Sequence, residues 1–171
     1  MPTIAQAVVA LMEEEGRRFT WFGHLDLWGA AHQTATGRNA HPKDAWESVR
    51  HAMSVSPLFA KKGRIRAADW AGREILHPRF ELVPKRASVG RFFVSYDLRA
   101  VPAPSTKYMV VRIVTDGAYL SRSQAQEIAG PLPYIEAGAL VFAKERAILE
   151  DLPSESECEA LMAQPAVACA R

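Results

Sequence analysis

The chain has 171 residues, 49% of them hydrophobic and 23% charged, with a formal net charge of +2, the composition of a soluble globular protein with room for one domain or two small ones. No apolar run approaches the roughly 20 residues needed to span a bilayer, and residues 1–10 lack the basic start of a secretory leader, so a cytoplasmic protein without membrane contact is expected. Cys158 and Cys169 have no CxxC spacing and read as free thiols of a reducing compartment.

Thr3 followed by Ile4, Val8, Leu11 and Met12 predicts an amphipathic helix. Thr3 is its N-cap, Gln6 stands in capping-box position, and Gly16 ends it. A second helix is expected from Thr20 to about His32 over Phe22, Leu25 and Trp28, with a loop at Thr36-Gly37-Arg38-Asn39. The third helix has the clearest pattern. Pro42 suits the first helical position and Asp44 the positive end of the dipole. Ala45, Trp46, Val49, Ala52 and Met53 form one face and Lys43, Glu47, Arg50 and Ser54 the other, before Ser56-Pro57 stops it. Leu58-Phe59 leads into Lys61-Lys62-Gly63-Arg64, read as a basic turn centred on glycine. From Ile65 to Leu76 a short helix and a long hairpin both fit, and Arg79–Val83 alternates as a strand.

Pro84–Gly90 reads as a connector, dividing the chain into 1–83 and 84–171. Beyond it, Phe92–Tyr96 and Tyr108–Val114 predict an antiparallel pair of strands joined through Pro102 and Pro104. Ser121 is expected to cap a short helix over Gln124, Ala125 and Ile128, and Ala139-Leu140-Val141-Phe142 to form a third strand. Residues 145–152 and 154–163 are read as helices, Ser154 capping the second.

Charge is distributed unevenly. Residues 1–91 carry +5 and residues 92–171 carry −3. Nine lysines and arginines against three acids fall between Lys61 and Arg91, a field that a polyanion or an acidic partner feels. The last thirty residues include Glu145, Glu150, Asp151, Glu155, Glu157 and Glu159.

Three helices, then Leu58-Phe59, then a Gly-bearing basic segment and a closing strand resemble a winged helix-turn-helix domain of the HARE-HTH sort. The residues that carry the resemblance are Ala45, Val49, Ala52-Met53, Leu58-Phe59 and Gly63-Arg64. It covers residues 1–83, and the long Gln33–His41 loop and the long stretch after Gly63 depart from it. Together with the strands and helices read beyond Gly90, the fold class is expected to be α+β: a three-helix winged-helix-like unit followed by a small antiparallel sheet with short helices. The resemblance implies a DNA-binding regulatory protein that lays helix 42–54 in the major groove of duplex DNA. Arg38, Lys43 and Arg50 would face bases or phosphates from the helix, and Lys61, Lys62, Arg64, Arg66 and Arg73 would follow along the wing. The second half is then assigned to dimerisation or partner binding.

Other chemistry finds little support. His24, His32, His41, His51 and His77 show no metal-ligand spacing. No P-loop, GxGxxG or GxSxG is present, and Asp97 and Asp116 lack a second carboxylate at short spacing. No catalytic residue, metal or cofactor is therefore expected, and an enzyme is the third choice. The second is a protein-binding inhibitor or adaptor, for example one encoded by a mobile element, acting through an acidic 145–159 surface that imitates phosphate. Trp70 is read chiefly as core or wing packing, and otherwise as a surface for stacking on a base or filling a partner's pocket.

Overall fold

In the computed structural model, residues 1–165 are described, and the chain divides into two compact units, Met1–Val83 and Pro84–Arg171. Helix α1 (Ile4–Glu15) begins at Thr3, whose hydroxyl accepts from the Gln6 amide at 3.2 Å while Gln6 Oε1 accepts from the Thr3 amide at 2.9 Å. That reciprocal pair satisfies two donors the first turn leaves open. Gly16 closes the helix in the left-handed region. Strand β1 (Phe19–Thr20), helix α2 (Leu25–Thr36) and helix α3 (Pro42–Val55) follow, then the long hairpin of β2 (Phe59–Ala68) and β3 (Glu74–Leu82). The sheet order is β1-β3-β2, antiparallel throughout.

The three helices pack on one another around Val8, Met12, Trp28, Ala31, Val49 and Met53, and the sheet contributes Phe80 to the buried set. All seven are 1% exposed or less. Trp28 keeps its indole N–H satisfied by donating to the Phe22 carbonyl at 3.3 Å. The third helix has the expected start at Pro42 and the expected buried face of Ala45, Trp46, Val49 and Met53.

Two local expectations for this unit are corrected. The second helix begins at Leu25, not Thr20, because Phe19 and Thr20 pair with Glu81 and Phe80 of β3. Lys61-Lys62-Gly63-Arg64 is no turn. It lies inside β2, where the register slips by one residue between Lys61 and Arg64, and Gly63, at φ +77°, takes up the bulge. The turn comes later, at residues 69–73. There the Asp69 carboxylate accepts from the Ala71 and Arg73 amides at 2.8 and 2.9 Å, so the ambiguous 65–76 stretch is a hairpin.

The second unit is an antiparallel meander of β4 (Arg86–Val89), β5 (Phe92–Ala100), β6 (Tyr108–Asp116) and β7 (Ser123–Leu132), followed by α4 (Tyr134–Arg146) and α5 (Glu155–Met162). Tyr96, Val110, Ala137 and Val141 form one buried cluster with Ala87 and Ile148. Phe92, Val94, Val114 and Cys158 form another. The β5–β6 pair and the Ser154 cap of α5 match the sequence reading.

Four other expectations do not hold. Residues 86–89 of the supposed connector pair with β5. The helix expected after Ser121 is strand β7, held against β6. Ala139–Phe142 belong to α4 rather than a strand. Of the helix expected over 145–152, Glu145 and Arg146 end α4 and the rest is a turn. Cys158 is a buried free thiol whose pKa burial pushes up; Cys169 lies outside the described residues.

Candidate nucleic-acid interface

The eight cations expected to bind nucleic acid all fall in the first unit and are all exposed. Lys43 and Arg50 sit on the outward stripe of α3 with Glu47, one turn and two turns of spacing apart, so that Lys43 and Arg50 are about 10 Å from each other along the axis. Arg38 lies in the loop between α2 and α3. Lys61, Lys62, Arg64 and Arg66 belong to β2, and Arg73 closes the hairpin turn.

Between α3 and the hairpin runs a groove of about 280 Å³. Trp46, Glu47 and Arg50 line it from the helix, Ile75 to Pro78 from β3, Asp69 and Trp70 from the tip, and Phe22 from below. Strand register sets Arg64 opposite Pro78 and Arg66 opposite Leu76, so each arginine shares a sheet face with a residue of the groove wall. Arg50 lines the groove, while Arg64 and Arg66 stand on the neighbouring strand without lining it. Arg38 and Lys43 do not line it, and Lys61 and Lys62 lie nearer the base of the hairpin, opposite or beside Phe80 and Glu81.

Not every cation is available to an outside anion. Arg73 donates from Nε and Nη2 to Asp69 at 3.0 and 2.8 Å; the Arg73 backbone amide first, and then these side-chain bonds, hold the Asp69 carboxyl below its usual range. Arg66 lies 3.8 Å from Glu74 and Lys62 3.8 Å from Glu81, long and exposed pairs that hold weakly. Arg79, which sequence reasoning left out of the site, pairs with Glu81 at 2.9 Å while its guanidinium lies 4.0 Å above the Phe19 ring. Among the described residues no ion pair engages Arg38, Lys43, Arg50, Lys61 or Arg64.

The groove itself was missed in the sequence, and so was His77, now 4% exposed and stacked flat on Phe22. Trp70 packs as the sequence suggests, and part of its indole stays exposed. It is 44% exposed and also packs edge-on against Phe22. In the second unit, Glu145 is 4% exposed and takes a hydrogen bond from the Lys85 amide, so the acidic surface expected over 145–159 does not include it. Asp151 is held by Lys144 at 2.7 Å. Glu157 is committed to the Ser154 capping box, which lowers its pKa. No helix is long and apolar enough to cross a membrane, and no cluster of metal-ligating side chains occurs among the described residues.

No family model, curated protein or solved structure matches this chain.

Proposed function

We propose that the Met1–Val83 unit is a winged-helix module and that the protein is a small regulatory protein binding duplex DNA. The order α1-β1-α2-α3-β2-β3, with the two-residue β1 laid on the outer side of β3, is what supports the module. The observation that carries the DNA reading is the exposure of Lys43 and Arg50 on the polar face of α3 together with Arg64 and Arg66 on the hairpin, Arg50 alone of the four lining the groove between the two elements. The hairpin strands and turn hold six basic and three acidic side chains, an excess that draws a polyanion.

In this reading α3, 14 residues and about 21 Å long, enters the major groove, and the β2–β3 hairpin grips the adjacent backbone. Phosphate contacts supply affinity that falls with salt, and Arg50 supplies base or phosphate contacts from the helix. The second unit serves dimerisation or partner binding. Fluorescence anisotropy with a short labelled duplex tests the proposal at two salt concentrations. Binding at micromolar protein in low salt that weakens as salt rises is the expected result, and no binding under those conditions overturns it.

A further inference from the structure

The groove between α3 and the hairpin has a lining that phosphate attraction does not explain. Three of its walls are aromatic, Phe22, Trp46 and Trp70. Trp70 stands edge-on to Phe22 with ring centroids 5.0 Å apart, leaving much of the indole open to the groove. His77 is all but buried, its ring parallel to Phe22 at 4.2 Å, and its Nε2 has no hydrogen-bond partner. A buried imidazole nitrogen left unpaired costs stability; Nε2 has almost no accessible surface here, and a small tilt of the ring on Phe22 would bring it to a ligand's polar atom. At the rim stand Glu47 and Arg50, both exposed, with no ion pair engaging either among the described residues.

This set discriminates among ligands. A carboxylate or phosphate drawn by Arg50 is opposed by Glu47, and an ammonium drawn by Glu47 is opposed by Arg50. An aliphatic group leaves His77 Nε2 as it is. A flat, neutral heterocycle with donors and acceptors along its edge suits all of them, since Glu47 accepts, Arg50 donates, His77 Nε2 serves either role by tautomer, and the indole of Trp70 offers a stacking face. The volume of about 280 Å³ admits such a ring. We propose that this groove is a nucleobase pocket. The base comes either from a free nucleoside or from a nucleotide turned out of DNA; the second source rests on the duplex-binding reading above, and the first does not.

The test compares two labelled duplexes of one sequence, one fully paired and one in which a single adenine faces an abasic site and so turns out at low cost. Titration calorimetry with adenosine, guanosine, cytidine and thymidine runs beside them. The wild-type protein is expected to bind the abasic-opposed duplex about ten-fold more tightly, a difference of about 1.4 kcal/mol. Trp70→Ala and His77→Phe should each abolish that preference while holding affinity for the paired duplex within about two-fold, because neither removes a phosphate-directed cation. A nucleoside heat signal lost in both variants, without any duplex preference, assigns the pocket to a free nucleoside. Equal affinity for the two duplexes together with silence toward all four nucleosides overturns the pocket and leaves duplex binding standing. A preference that survives both substitutions also overturns it, because duplex flexibility alone then accounts for the difference. Failure of the wild type to bind either duplex overturns the DNA reading, and the nucleoside titration then decides the pocket by itself.

Discussion

The imidazole of His77 lies on the ring of Phe22 with centroids 4.2 Å apart and planes 7° from parallel. One residue comes from the segment between β1 and α2 and the other from β3, so this contact ties the helices to the hairpin. Phe22 also meets Trp28, Trp46 and Trp70. All four tryptophans of the chain belong to the first unit, so tryptophan fluorescence follows the unfolding of that unit alone.

Removing the Phe22 ring empties the centre of the aromatic group. Phe22→Ala is expected to cost the first unit about 3 kcal/mol or more in urea unfolding followed by tryptophan emission, the usual range for a buried Phe. His77→Phe keeps the stack and removes the unpaired Nε2, so its effect should be less than about 1 kcal/mol. A large loss in His77→Phe would show that the imidazole makes a polar contact the fold needs.

Exposed cations that look alike in the sequence should differ in their effect on salt dependence. Arg64 has no carboxylate partner among the described residues, whereas Arg73 is already held by Asp69. Arg64→Ala is expected to lower the slope of log K against log salt by about 0.9, one phosphate contact's share, and Arg73→Ala to change it little. Anisotropy titrations over a salt series measure both slopes, and equal changes in the two variants would contradict the assignment.

His24 should make the first unit more sensitive to mild acid. Burial first, and then the nearby Arg17 cation, lower its pKa from the ordinary 6.5, with Glu15 opposing. The folded state therefore resists a proton that the unfolded chain accepts. Stability is full above about pH 6.5 and falls as pH drops from there toward the folded-state value. The lowered carboxyls, Asp69, Asp151 and Glu157, lose their contribution only at more acid pH. Urea midpoints at pH 7.5 and 5.5 should drop in the wild type and converge in His24→Gln; an undiminished drop in that variant would place the titration elsewhere.

Gly63 should be intolerant of a side chain despite its exposure. A Cβ there meets nothing within 4 Å, yet φ is +77°, where L residues are strained by roughly 1–2 kcal/mol. Gly63→Ala is expected to destabilise the first unit by about 1 kcal/mol, read by thermal melting of tryptophan emission. An unchanged melting temperature would mean that the bulge relaxes when glycine is lost.

Helix α3 was readable residue by residue because its signals are local. Pro42 begins it, Ser56-Pro57 ends it, and Ala45, Trp46, Val49 and Met53 recur at helical spacing. The capping boxes at Thr3 and Ser154 are local in the same way. Strand β7 was not readable. Its Gln and Ala residues favour a helix, and pairing with β6 overrides that preference. In α4 the run Ala139–Phe142 imitates a strand, while the useful signal was the helical spacing of the buried Ala137, Val141 and Glu145.

The linear order of residues carried the α+β class, the starts and stops of α1, α3 and α5, and the surplus of cations after Lys61, because each depends on neighbours within a few positions. It could not say that Asp69 neutralises Arg73, that Gly63 makes a bulge in place of a turn, or that Trp46, Trp70 and His77 enclose one groove. Those relationships bring together residues up to about thirty positions apart. The first two exist only once β2 pairs with β3, and the third only once the hairpin lies beside α3, where distance and burial select among pairings that composition leaves equivalent.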